Sequence, residues 1–223
     1  MEKMRMTRQL ASVADFNKFN VNREGWEKIK QSLYDRAAYA AAGQTQLTFF
    51  QAPVGSSGKT LSDTNMTLAG QLPTNQNFLV EAIEIFFFPT TPTVTAQMPA
   101  AFGAQAVAQI VNDAYIFNRG GNLRFLIGSK DYLQEAPLQK FPASRQFHIE
   151  AALADVSTAG ASFQSRIAFA AAVGRPYVLN PPVLLTENQN FAVTLAWPEG
   201  VQAITNPASV FVSLEGVLLR RSQ

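Results

Sequence analysis

The chain has 223 residues, 47% of them hydrophobic and 15% charged, with a formal net charge of +2; the length allows one ordinary domain with a real core, and the hydrophobic fraction excludes general disorder. With no cysteine, disulfides, thiolate zinc sites, iron–sulfur clusters and thiol nucleophiles are excluded. A single histidine, His148, leaves little neutral-pH acid–base or transition-metal chemistry, so an enzyme is not expected.

Taken from the N-terminus, Met1 to Arg8 is basic, but no apolar run of secretory type follows, and no cleaved export signal is expected. The longest apolar stretches, residues 82–88 and 167–173, fall far below the roughly 20 residues that span a bilayer. Residues 1–36 carry eight Lys and Arg against five Asp and Glu, while the rest of the chain carries ten against eleven. The positive charge is thus a property of the N-terminal end and fits an end facing something anionic. Asn22 is placed to cap a helix in which Trp26, Ile29 and Leu33 recur at three- and four-residue spacing, with an Ala-rich end at 37–42 and a stop at Gly43. The expectation is a helical basic arm over residues 1–43 and a β body over 44–223.

After Gly43, short β-branched and aromatic segments alternate with Gly, Pro, Asn and Ser, the pattern of strands and turns. Strands are expected over 47–51, 78–88, 114–117, 123–127, 147–153, 162–171, 177–179, 190–197 and 209–219. Residues 53–62 and 90–99 read as loops, and 100–111, rich in Ala and Gln, as a short helix. Segment 78–88 is apolar on both faces at its far end, as a strand between two layers would be. Arg119-Gly120-Gly121-Asn122 is a hairpin signal, because paired glycines supply positive φ. Eight to ten closely spaced strands with no repeating helix argue for a sandwich or barrel. Two stretches, Leu72 to Val80 and Leu185 to Val193, match at six of nine positions 113 residues apart. Each reads as a polar turn leading into a core strand, which suggests equivalent places in a pseudo-symmetric sandwich.

Motifs that carry chemistry are sparse. Gly55-Ser56-Ser57-Gly58-Lys59-Thr60 ends like a phosphate-binding loop, but the glycine needed five residues before Gly58 is Pro53, which has no amide hydrogen to offer. An exposed loop is expected there. His148 lies in a strand pattern without the partner histidines of a cupin-type metal site. Glu81 and Glu84 should fall on opposite faces of a strand, because their spacing is odd, and so are not a carboxylate pair for glycoside hydrolysis. Arg119, Arg124 and Lys130 near Tyr115, Phe117, Phe125 and Tyr132 come closest to the interleaved cations and rings of a nucleic-acid surface; charges on a sheet edge serve equally to discourage aggregation. No catalytic residue, cofactor or metal is expected.

Three features belong together: the basic arm, the Phe- and Ala-rich body with its Pro/Thr/Ser loops, and the terminal Ser209-Val210-Phe211-Val212-Ser213-Leu214-Glu215-Gly216-Val217-Leu218-Leu219-Arg220-Arg221. With the stretch from Asp63-Thr64-Asn65-Met66 through Gly70-Gln71-Leu72-Pro73 to Phe78-Leu79-Val80, the chain resembles the jelly-roll capsid (coat) proteins of tailless bacterial viruses. The resemblance implies an all-β fold, a single jelly-roll sandwich or barrel of about eight strands with an N-terminal helical arm. It implies a major capsid protein that self-assembles, as trimers or larger, into an icosahedral shell. The chain would then sit in the virion beside other virion proteins, and in host cytoplasm before assembly. The body would tile the shell with the arm on its inner side, where Arg5, Arg8, Lys18 and Arg23 would meet genome phosphates or the anionic headgroups of an internal membrane. Sparse charge beside 17 Phe, 5 Tyr and 2 Trp suits large self-complementary surfaces. Two alternatives stay open: a minor spike or fibre component, and a carbohydrate-binding, lectin-like jelly-roll module with Trp197, Tyr132 or Tyr177 as stacking platforms.

Overall fold

The computed structural model describes residues 26–89, 112–154 and 164–221, and the side chains of all of these except 145–154 and 164–173. Among the described residues there are ten strands: β1 Trp26–Tyr39, β2 Gln46–Phe49, β3 Gln76–Pro89, β4 Asn122–Ile127, β5 Lys130–Glu135, β6 Arg145–Ala154, β7 Gln164–Val173, β8 Tyr177–Leu185, β9 Phe191–Ala196 and β10 Ala208–Arg221. Residues 112–119 form a helix, α1, and Leu138–Lys140 a 3-10 turn, η1. One sheet has the order β1-β10-β3-β8, the second β2-β9-β4-β5, and β6 and β7 make a separate two-stranded ribbon. With the ribbon set aside, the eight remaining strands pair first with last, second with seventh, third with sixth and fourth with fifth, all antiparallel. The chain is laid out as one long hairpin doubled over on itself.

The two sheets face each other across the main core, and a smaller buried cluster, Leu79, Val217 and Leu219 with Trp26 and Leu184 against it, lies apart from it on the outward side of the first sheet. Leu33, Phe78, Val80, Ile83, Val210, Val212 and Leu214 from the first sheet meet Phe49, Leu123, Phe125, Val193 and Leu195 from the second, all buried. Their spacing is the period-two alternation that points every second side chain to one face. One end is closed by aromatics. Tyr39, Phe117 and Trp197 pack with centroids 5.2 to 5.5 Å apart, Phe87 stacks on Phe117 at 4.5 Å, and the Trp197 indole donates to the Phe117 carbonyl at 3.0 Å. Phe117 comes from α1, so the helix plugs that end.

Several expectations from sequence are corrected. Residues 26–39, expected inside a helical arm ending at residue 43, are strand β1, paired with β10 along all fourteen residues. Local Ala, Lys and Gln favour a helix only weakly, and a long strand partner overrides them. The true period is visible as Leu33, Asp35, Ala37 and Tyr39 turned inward, and the buried charge of Asp35 disguises it. The strand expected over 114–117 is part of α1 instead, with Asp113 buried in its first turn accepting the amides of Thr205 and Asn206 at 2.7 and 3.2 Å. Gly120 and Gly121 therefore join a helix to β4 rather than making a hairpin. A Cβ on Gly121 would lie 2.4 Å from Leu138 and 2.7 Å from Trp197. Strand β5 was not expected, being an exposed edge of charged and amide residues with little apolar alternation. Strand β8 runs past the expected end at 179 through Pro181 and Pro182, which an edge strand tolerates. The rest of the expected arm (residues 1–25), the loop at 90–99 and the helix at 100–111 lie outside the described residues.

The echoed segments take equivalent places, leading into β3 and β9, the third and seventh of the eight sandwich strands. Asn75 and Asn188 both have positive φ, 64° and 56°, a conformation asparagine tolerates better than most residues. The two turns also touch. Asn188 N donates to Leu72 O at 3.2 Å and Glu187 N to Asn77 Oδ1 at 3.0 Å, and the following Phe78 and Phe191 are both core residues.

Strand β10 packs tightly on β3 at Gly216, where an added Cβ would lie 2.0 Å from the Leu79 carbonyl oxygen, a backbone atom with little room to retreat. At Gly120 the same carbon would meet its nearest neighbour at 3.7 Å. Gly216→Ala should destabilise the fold by about 1–3 kcal/mol or more, while Gly120→Ala should leave thermal unfolding nearly unchanged. Equal melting temperatures for the two variants would contradict this packing.

Candidate association surface

On the first sheet, residues that alternate with the core set point outward. Across β1, β10 and β3 these include Tyr34, Phe211, Phe86 and Phe88, which form one row. Tyr34 stacks on Phe211 (5.4 Å, 19°), Phe86 meets Phe211 edge-on (5.5 Å, 85°), and Phe86 stacks on Phe88 (6.0 Å, 13°). Cross-strand aromatic pairs of this kind stabilise a sheet. Their outward position also makes the face apolar, and Phe88 is 45% exposed. Of the charges around the row, Lys30 pairs with Glu81 and Arg36 with Asp63 at 3.7 Å, while Glu84 is held by Ser144 and Glu215 by Ser213. The face is thus ring-lined with its charges tied to neighbouring side chains, and aromatic rings are enriched at protein contacts.

Edges are treated differently. On β1 the loop at 60–65 covers the free edge: the Asn65 side chain accepts from Tyr34 N at 3.0 Å and donates to Ser32 O at 2.8 Å, doing a strand's pairing with one amide. That loop is held by Asp35, fully buried, which accepts from Phe50 N at 2.6 Å and from the Lys59 ammonium. Residues Gly55 to Thr60 consequently cannot cradle a phosphate. Lys59 is engaged, and the amides of Gly55, Ser56 and Lys59 are spent on turns within residues 53–59. On β5 the edge carries charge, with Arg124 paired to Asp131 and Lys140 to Glu135, both at 2.7 Å, a protection against sheet-to-sheet pairing.

The residues singled out from sequence are dispersed. Arg5, Arg8, Lys18 and Arg23 lie outside the described residues, as does the side chain of His148. Glu81 and Glu84 do not separate to opposite faces. A β-bulge between Val80 and Ala82 inserts one residue into β3 and shifts the parity, so both turn away from the core, Glu81 to Lys30 and Glu84 to the amide and hydroxyl of Ser144, each at 3.0 Å. Phe117 and Phe125 are core residues, so the cations near them do not form a ring-and-charge surface; Lys130 alone sits near a ring, 6.0 Å from the Tyr132 centroid. Trp197 is 1% exposed and no stacking platform. Tyr177 packs its ring on Phe141 at 4.6 Å and points its hydroxyl at Glu135, and burial, then that carboxylate, raises its pKa. Tyr132 remains an exposed ring. Sequence reasoning missed Tyr34, Phe86, Phe88 and Phe211 as a unit; the run Phe86-Phe87-Phe88 was the available signal, since a strand must turn one of its faces of such a run outward.

Among the described residues, no group of three or more His, Asp or Glu side chains is arranged to hold a metal ion, and no helix is long and apolar enough to cross a membrane. Comparison of the chain with protein-family models, with curated proteins and with solved structures finds no match.

Two carboxylates at these edges respond to acid. The Thr60 amide, then its hydroxyl, with help from Arg36 and Lys59, holds Asp63 below its ordinary value of 3.8; Lys140, then the Ala136 amide, does the same for Glu135 relative to 4.5. Because the folded state binds these protons more weakly than the unfolded chain, their stabilisation is present above the ordinary values and is lost as pH falls through the lowered ones. Melting temperature should drop as pH falls below the ordinary values of 4.5 and 3.8, and less steeply in the Asp63→Asn, Glu135→Gln double variant. An identical acid profile for the two proteins would contradict the assignment.

Proposed function

We propose that the sandwich is a jelly roll and that the chain is a structural coat protein of a virion, associating with itself through the outward face of the first sheet. The fold assignment rests on the nested pairing of the eight sandwich strands, which is the order a jelly roll needs. Also in its favour is the placement of the echoed segments at the third and seventh strands, the pseudo-symmetric positions of two Greek keys. The functional assignment is carried by one observation, the outward aromatic row Tyr34, Phe211, Phe86 and Phe88. Such a face gains by being covered, at roughly 25 cal/mol for each Å2 of apolar surface removed from water.

In this reading the basic N-terminal residues Arg5, Arg8, Lys18 and Arg23 face the interior of a shell and meet phosphates or anionic headgroups. A minor spike or fibre component shares the fold and differs in copy number. A carbohydrate-binding module is favoured only by the existence of a ring row. Sugar stacking needs ring faces open to solvent, whereas Tyr34 and Phe211 cover each other.

Electron microscopy of the expressed chain should show shells or sheets, with trimers or larger species by light scattering. Phe88→Asp should weaken that association at least tenfold while leaving the melting temperature within a few degrees, because Phe88 is only half-buried. A chain that stays monomeric at high concentration across salt would sink the proposal.

A further inference from the structure

Among the described residues three carboxylates are buried, Asp35, Glu84 and Asp113, and two of them are fully answered. Asp35 accepts from the Phe50 and Arg36 amides and from the Lys59 ammonium, and Asp113 accepts one amide on each oxygen. Glu84 differs. It is 1% exposed, and its Oε2 takes both the amide and the hydroxyl of Ser144, yet its Oε1 is buried with no hydrogen-bond partner. A charged oxygen left bare in the interior is costly unless a counter-charge meets it.

Among the described residues neither Glu84 nor Glu215 has a Lys or Arg partner, and Lys30, on the same outward face, is paired with Glu81. What adjoins Glu84 is further oxygen. Ile85 N donates to Phe141 O at 3.0 Å, so the segment carrying Ser144 runs along the flank of β3 away from β10. With Oε2 drawn to that flank, Oε1 is left on the side of β10. There Ser213 stands opposite Glu84 in register and Glu215 opposite Ala82, which makes Glu215 the diagonal neighbour of Glu84 on one face, within reach of a long side chain. Ser213 is buried and gives its hydroxyl proton to Glu215 Oε1 at 2.7 Å, as Ser144 gives its own to Glu84 Oε2. Both hydroxyl oxygens keep lone pairs, and neither proton is left for Glu84 Oε1.

We infer that Glu84 and Glu215 hold a divalent cation between β3 and β10, with the Ser213 hydroxyl oxygen as a third ligand and water completing the shell. Two carboxylates match the charge of a divalent ion, and a donor set made of oxygen alone selects a hard one. Calcium fits better than magnesium. It accepts about six to eight oxygens in loose geometry, whereas magnesium demands a regular octahedron, and the placement of these oxygens is set by strand register rather than by a loop free to adjust. The ion ties β10 to β3 and, through Glu84 and Ser144, to the segment that leads into β6.

Calcium itself is the probe, added to the full-length chain after stripping with a chelator. At a concentration about a hundredfold above its Kd the melting temperature should rise by about 5–10 °C, and elemental analysis after dialysis should find calcium in equal proportion to the chain. Glu84→Gln keeps an acceptor for Ser144 and puts a donating amide in place of the bare oxygen. It should therefore melt at or above the unaltered chain in chelator and gain nothing from calcium. Glu215→Gln should lose the calcium response as well, and it serves where the first variant fails to fold. A chain that neither retains calcium nor gains stability from it overturns the inference, as does a response that survives in the variant that folds, or one given by magnesium and not by calcium. None of these readouts involves assembly, so the coat reading can fail without the ion site, and the ion site without the coat reading.

Discussion

The structure depends on β10 lying between β1 and β3. The final described strand is paired over fourteen residues with the first and over nearly as many with the third. Its inward residues Val210, Val212 and Leu214 supply the middle of the core, and its outward Phe211 joins Tyr34 to Phe86 in the aromatic row. Placing it there requires the backbones of β10 and β3 to touch at Gly216 and β3 to carry a bulge beside it. The β1–β10 pairing is the most non-local among the described strands, so loop closure is costly before it forms, and the nested hairpin order gives each earlier pair a reason to bring it together.

Sparse charge has a structural counterpart. Three buried carboxylates each tie a loop to the sandwich: Asp35 holds Phe50 and the Lys59 loop, Glu84 holds Ser144 at the root of the ribbon, and Asp113 holds Thr205 and Asn206. Charge-assisted bonds to backbone amides are among the stronger hydrogen bonds, whereas exposed ion pairs such as Arg220 with Glu27 contribute little. On the outside of the first sheet the remaining charges are tied to neighbours, Lys30 to Glu81, Arg36 to Asp63 and Glu215 to Ser213, beside the aromatic row.

Much of this was legible in the sequence where apolar alternation was clean. The segments at 47–51, 78–88, 123–127, 190–197 and 209–219 fall on β2, β3, β4, β9 and β10 within a few residues, and the echo of Leu72 to Val80 in Leu185 to Val193 marked two matching corners. What stayed hidden was set by tertiary contact. Strand β1 lost its signature because Asp35, an ion held in the interior, occupies a core position. Phe117 gives no local sign of its helix, because its burial comes from Tyr39 and Trp197 rather than from local periodicity. The aromatic row needed the register of three strands separated by up to 177 positions, from Tyr34 to Phe211, which no local window contains.

The central claim, that the first and last strands form one ladder on which both sheets rest, is tested most directly by native-state hydrogen exchange in increasing denaturant. The amides of residues 26–39 and 208–221 are expected to lose protection together, in the last cooperative unit to open. Exchange of residues 26–39 early and on their own, as an independent arm would show, while 208–221 stay protected, would contradict it.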